Sequence, residues 1–134
     1  MTAFVLDAST VLAWLLKDTR QNEADVLIRR ARNEGASAPR LMALEVPNGL
    51  RNRIRRGMLS ARERDDLIGD FLQLPIEWDD EADVPALVRA SERHDLTIYD
   101  AAYLDLATRR GIALATLDER LAKAARVAGL ALIP

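Results

Sequence analysis

Four carboxylates in this chain stand where an ionised side chain is costly. Asp7 closes the apolar run Ala3-Phe4-Val5-Leu6, and Glu45 interrupts Leu41-Met42-Ala43-Leu44 and Val46. Asp100 opens Ala101-Ala102-Tyr103-Leu104, and Asp118 closes Ile112-Ala113-Leu114-Ala115-Thr116-Leu117. A buried ionised carboxylate without a partner costs several kcal/mol, so such groups pair, bind metal or stay protonated. If the fold gathers these four, the fitting partner is a hard divalent cation, Mg²⁺ or Mn²⁺, which prefers oxygen ligands. Their polar company suits the same chemistry. Ser9 lies two residues after Asp7, Asn48 shares a helical face with Glu45, and Thr116 precedes Asp118. Such neutral groups hold carboxylates and bound water in place.

Helix capping explains part of this pattern. Asp7, Asp100 and Asp118 each precede a helical stretch, and an N-cap aspartate contributes about 0.5–2 kcal/mol. Capping leaves Glu45 unexplained, because Glu45 lies inside a helical stretch. Asp105, five residues after Asp100, projects to another part of its helix and is expected in solvent. Asp79, Asp80, Glu81 and Asp83 form a charge-rich loop, also expected to be solvated. His94 reads as a partner for a helix C-terminus. Trp14 and Trp78 read as core or interface aromatics.

Composition narrows the chemistry further. The 134 residues suit one domain over 1–134, and 49% hydrophobic content supports a real core. No cysteine is present, which excludes disulfides, thiolate catalysis and cysteine-ligated zinc or iron–sulfur sites. A single histidine argues against a histidine-based centre. No signal peptide or membrane span is visible, so a cytoplasmic protein is expected. The net charge of −2 announces no nucleic-acid binder, but 17 of the 19 basic residues are arginine. Arg51, Arg53, Arg55 and Arg56 crowd one stretch, where their planar forks match phosphate geometry. A solvated helix end accounts for the same cluster.

Short apolar runs alternate with amphipathic stretches, which predicts an α/β fold. Strands are expected over residues 4–6, 36–38, 75–78, 112–116 and 130–133. Helices are expected over 9–16, 22–33, 41–55, 60–72, 83–94, 100–109 and 118–128. Pro47 predicts a kink or break in the third helix, and residues 97–99 read as a connector. In parallel sheets, sites form beyond the carboxyl ends of the strands, where strand order reverses. Asp7 and Asp118 both sit at such ends.

The chain resembles the PIN-domain ribonucleases, and among them the toxins of VapBC-type toxin–antitoxin pairs. The matching pieces are Val5-Leu6-Asp7-Ala8-Ser9, Leu44-Glu45-Val46-Pro47-Asn48-Gly49-Leu50, Tyr99-Asp100-Ala101-Ala102-Tyr103-Leu104 and Ala115-Thr116-Leu117-Asp118, in that order. The resemblance covers essentially the whole chain. It implies that Asp7, Glu45, Asp100 and Asp118 form a catalytic metal site, with Ser9, Asn48 and Thr116 supporting it. It also implies a three-layer α/β/α sandwich on a parallel sheet of about five strands, Mg²⁺ or Mn²⁺ as cofactor, an RNA substrate, a homodimer and a cognate antitoxin. Pro47 departs from the pattern, standing where such toxins often carry a small helix-forming residue. The implied reaction is metal-dependent hydrolysis of an RNA phosphodiester. Arg51, Arg53, Arg55 and Arg56 are then the expected contacts to the RNA backbone. The apolar faces of the first two helices are candidates for the homodimer interface.

Two other classes compete. A receiver-like phosphoacceptor signalling domain also uses an α/β fold with a Mg²⁺-binding acidic pocket, but it normally shows paired acids after the first strand and a lysine after a late one. Only one aspartate follows the first strand here, and neither Lys17 nor Lys123 ends a late strand. A non-catalytic binding domain whose acids serve only as caps would gain no stability from Mn²⁺.

Overall fold

The apolar runs become a parallel sheet with its most buried strands at the centre. In the computed structural model, which describes residues 4–133, the strands are β1 (Phe4–Leu6), β2 (Ala36–Pro39), β3 (Ile76–Asp79) and β4 (Ala113–Ala115). Their order is β3-β2-β1-β4 and every pair is parallel. β1 and β2 are buried throughout, as expected for a sheet covered on both faces.

Seven helices connect and cover the strands among the described residues: α1 (Ala8–Leu16), α2 (Gln21–Glu34), α3 (Met42–Arg55), α4 (Ala61–Leu72), α5 (Val84–His94), α6 (Ile98–Arg110) and α7 (Glu119–Val127). α1 packs against α2, α3 and α4. α6 lies across β1, β2 and β4, flanked by α5 and α7. The result is the expected three-layer sandwich. Small side chains let α6 approach the sheet closely, since Ala101, Ala102 and Ala107 are all buried on it. The fully buried Phe4, Leu6, Ile28, Met42, Leu106 and Leu121 centre the core, each worth about 1.5–3 kcal/mol of burial. The capping box at Ser60 and Glu63 forms as its sequence signature predicts.

Several expectations need correction. The strand expected over 130–133 is one parallel bridge from Leu114 to Leu132, so the sheet has four strands where about five were expected. Two bonds at 2.9 and 3.0 Å tie Leu114 to Ala131 and Ile133, too few for a ladder. α3 runs unbroken from Met42 to Arg55 despite Pro47. The proline removes a single amide donor, while Met42, Val46 and Leu50 keep the helix anchored in the core. α6 starts at Ile98, two residues earlier than expected and inside the stretch read as a connector, because Thr97 caps it and accepts the Asp100 N–H at 3.1 Å. Asp100 is therefore inside the helix and caps nothing.

Much of the apolar faces expected to form an interface packs into the core, while Leu12 and Leu16 stay half-buried. Val11 and Leu15 of α1 and Leu27 and Ile28 of α2 are buried. The exposed large apolar side chains include Leu44 and Tyr99. No helix among the described residues is long and apolar enough to cross a membrane. The one-domain expectation also takes in residues 1–3 and 134, which lie outside the described residues.

Gly49 sets the approach of α1 to α3. A Cβ added there would lie 2.7 and 2.8 Å from the two δ-carbons of Leu12. Alanine would gain helix propensity while displacing only the end of one leucine. Gly49→Val adds further bulk and is expected to cost about 1–3 kcal/mol in urea unfolding, the usual range for overpacking.

Candidate active site

β1 and β4 pair through Phe4–Ala113, Val5–Leu114 and Leu6–Ala115, so their carboxyl ends open on one crevice. Strand order reverses at β1, which makes this the expected place for a site. Asp7 follows β1 directly. Thr116 and Asp118 follow β4. α3 brings Glu45 and Asn48 in from one side, and α6 brings Asp100 and Tyr103. Asp7, Glu45, Asp100 and Asp118 all line one hollow of about 320 Å³, with Ser9, Asn48 and Tyr103.

Asp7 is the innermost of the four, at 3% exposure. Ser9 Oγ donates to its two carboxylate oxygens at 2.8 and 2.9 Å. The Thr10 N–H and hydroxyl each reach Oδ1 at 3.1 Å, and the Thr116 hydroxyl donates to Oδ2. Burial nonetheless dominates and pushes the Asp7 pKa from 3.8 up to about 6, against the downward pull of these donors. Thr116 also accepts the Asp118 N–H at 2.9 Å, and Ser9 accepts the Leu117 N–H at 3.2 Å. The loop after β4 is thereby tied to the end of β1.

Glu45 Oε1 accepts the Tyr103 hydroxyl at 2.6 Å. Burial raises the Glu45 pKa. The Tyr103 bond opposes that rise, and the charges of Asp100 and Asp7 add to it. The Asp100 pKa also rises, first from burial and then from the Asp118 charge, with Thr97 and Arg120 pulling it down. Asp118 caps α7 by accepting the Arg120 and Leu121 N–H groups at 2.8 and 3.2 Å. Asp7 likewise caps α1 through Thr10. Capping and convergence are thus compatible at both residues. The carboxylates repel one another across the hollow, so a cation there would relieve a cost the fold carries.

The donor set fits a hard divalent ion, being oxygen only, with no histidine or cysteine at the hollow. Among the described residues no three acidic or imidazole side chains close a cage of their own. Mg²⁺ does not require one, because it dehydrates reluctantly and is commonly held by one or two carboxylates.

The other candidates fall elsewhere. Arg51, Arg53, Arg55 and Arg56 do not line this hollow. Arg53 lines a separate one with Lys17, Glu63 and Asp66. Asp79 is buried at the end of β3, contrary to the solvated loop expected, because Arg109 and Arg110 reach it at 2.7 and 3.4 Å. The Arg109 hydrogen bond holds its pKa below the ordinary value despite burial. Asp105, expected in solvent, is largely covered and bonded to Arg109 at 2.8 Å. Trp78 stacks edge-on against Phe71, and Trp14 carries Arg32 over its ring, consistent with their expected packing roles. No lysine reaches the hollow, since Lys17 and Lys123 line others, which leaves the phosphoacceptor alternative without its usual cation.

Sequence reasoning missed Thr10 and Tyr103. Each lies three residues after a singled-out aspartate, Asp7 and Asp100, and that spacing puts them beside it.

Comparison with known proteins agrees with this fold. The family model of the PIN domain matches residues 4–127. The chain is 32% identical to Ribonuclease VapC3 of Pyrobaculum aerophilum over 123 residues, covering 89% of this chain and 92% of that protein. It is 33% identical to Ribonuclease VapC12 of Mycobacterium tuberculosis over 121 residues, covering 89% of each. Among solved structures, PAE2754 from Pyrobaculum aerophilum superposes with a TM-score of 0.68 at 21% identity, over 92% of this chain and 86% of that one. FitAcB from Neisseria gonorrhoeae superposes with a TM-score of 0.66 at 15% identity, over 98% and 96%. The crevice between β1 and β4, the order of the acidic motifs and these matches lead to one conclusion: the chain belongs to the PIN-domain family, with VapC proteins among its relatives.

Proposed function

We propose that the protein is a metal-dependent endoribonuclease that hydrolyses RNA phosphodiester bonds and acts as the toxin of a toxin–antitoxin pair. The observation that carries this is the meeting of Asp7, Glu45, Asp100 and Asp118, drawn from four separate parts of the chain, in one hollow. Two relatives bear the name ribonuclease. Asp7 and Asp100 are the primary holders of Mg²⁺ or Mn²⁺ in this scheme, with Glu45 and Asp118 completing the negative rim. A bound ion of this kind activates water for attack and neutralises charge at the phosphate. Ser9 and Thr116 fix the Asp7 carboxylate, and Tyr103 fixes Glu45. Asn48 offers a neutral amide at the rim.

The cognate antitoxin is the expected protein partner, and a homodimer the expected assembly. The exposed Leu44 and Tyr99 are the immediate chain neighbours of Glu45 and Asp100, so a segment covering them would also cover the hollow.

The direct test incubates purified protein with total cellular RNA in Mg²⁺, Mn²⁺ or EDTA and maps new RNA ends. New ends that appear with either metal and vanish with EDTA are expected. Identical end maps in all three conditions would reject the assignment. A second measurement needs no substrate. Mn²⁺ at 100 times its Kd should add about 2.7 kcal/mol of stability, visible as a higher melting temperature. A melt indifferent to Mn²⁺ would instead favour a domain whose acids serve only as caps.

A further inference from the structure

A groove on the α5 and α7 side lies beside the acidic hollow, separated from it by the Asp118–Arg120 turn at the start of α7. Two adjoining hollows of about 490 and 400 Å³ share Arg93, His94 and Val127, and so form one channel. Arg89 and Arg93 lie one turn apart on α5, and Arg120 and Lys123 lie one turn apart on α7. Both pairs line the channel. Asp95 and Asp105 are the acids against these four fixed cations, and Asp105 is already bonded to Arg109. Among the described residues Arg89, Arg93 and Lys123 enter no ion pair, and Arg120 makes only a 3.7 Å contact to the 97% exposed Asp95. The channel therefore carries net positive charge.

Its near end meets the carboxylates. The Arg120 N–H donates to Asp118, and the Arg120 charge is felt at Asp100. The Arg53 hollow differs in sign balance, since Lys17 and Arg53 face Glu63 and Asp66 there. A polyanion reaching the acidic hollow is repelled by its rim, so cations must hold it immediately outside. Contacts to phosphate then fix register without reading sequence.

We infer that this groove is the track for the sugar–phosphate backbone of a single RNA strand leaving the acidic hollow past Arg120, with Lys123, Arg93 and Arg89 holding its phosphates. The identity of the polyanion rests on the ribonuclease proposal above. The channel's sign, and the nearness of Arg120 to a hollow that would do phosphate chemistry, favour RNA over an acidic protein segment.

The test is binding of a labelled, unstructured single-stranded RNA in EDTA across a salt series. The variant R89A/R93A/K123A changes three exposed side chains, and its melt is recorded to confirm folding. Each lost phosphate contact on a single strand removes about 0.7 from the slope of log affinity against log salt, so the triple variant should lose about 2. Affinity at low salt should fall by at least about tenfold. R89K/R93K should keep the parental slope, because a backbone track reads charge. R62A/R64A, on α4 and away from the groove, should also keep it. An unchanged slope in R89A/R93A/K123A, or an equal loss in R62A/R64A, overturns the track. So does polyglutamate that binds as tightly as RNA and depends on the same three residues, which would mark a seat for an acidic protein. Cleavage of total RNA with Mg²⁺ is scored separately. If the protein cuts RNA and the slope is unmoved, the track alone fails; if it neither cuts nor binds RNA, both proposals fail.

Discussion

Asp7→Asn is expected to abolish metal-dependent RNA cleavage while raising the melting temperature of the metal-free protein at pH 7. Loss of activity should exceed about 100-fold, the upper range for residues that merely support a metal ligand. The gain in stability follows from burial. The Asp7 pKa stands at about 6 in the folded chain against an ordinary 3.8, a gap worth about 3 kcal/mol. A raised carboxyl pKa favours the protonated folded state, so stability falls as pH rises from about 4 through about 6. Asparagine does not ionise and escapes that loss. It also caps helices as well as aspartate, so α1 keeps its start. The parent should therefore melt higher at pH 5 than at pH 7.5 without metal, whereas Asp7→Asn should show little of this trend. Equal pH dependence in both proteins would show that Asp7 is not the buried acid responsible. Retained metal-dependent cleavage in the variant would remove Asp7 from the active site.

Arg109→Ala is expected to cause the largest loss of stability away from the hollow, about 3 kcal/mol in urea unfolding. The Asp79 side chain is only 2% exposed, and Arg109 bonds it at 2.7 Å while also holding Asp105. Removing the arginine leaves a buried carboxylate with the longer 3.4 Å contact to Arg110 and a backbone hydrogen bond from Glu81. The sign with pH is opposite to that of Asp7. Arg109 depresses the Asp79 pKa, so this stabilisation is present above the ordinary carboxylate value and is lost as pH falls through the folded value. Replacing both partners with leucine should recover most of the loss, because the penalty lies in the unpaired charge. If Arg109→Ala unfolds at the parental urea midpoint, the pair contributes nothing.

Element types were legible in the sequence wherever the signal was local. The apolar runs ending at Leu6 and Ala115, the Ser60 capping box and the amphipathic α2 all fold as their spacing predicts. The meeting of Asp7 and Asp118 was legible on the condition that β1 and β4 are neighbours, while the places of Glu45 and Asp100, inside helices, came from the family resemblance. What stayed hidden depended on distant partners. The burial of Asp79 required Arg109 and Arg110, thirty residues on, and no local pattern separates such an acid from its solvated neighbours Asp80 and Glu81. The Tyr103 bond to Glu45 spans 58 positions. Thr97 and Asp100 both suit a cap, and only the backbone shows that Thr97 takes the role. The fifth strand failed because Leu132 makes one bridge and no ladder.

The pairing of β1 with β4 has a consequence for synthesis. Residues 4–6 are made well before their β4 neighbours, residues 113–115. The hydroxyl of Thr116 and the carboxylate of Asp118 arrive later still. At about 5–20 residues per second, a ribosome spends several seconds or more holding a chain whose acidic pocket cannot yet exist. A nascent chain that has not yet reached β4 therefore lacks this pocket, which leaves a window for any inhibitor made alongside to be present first.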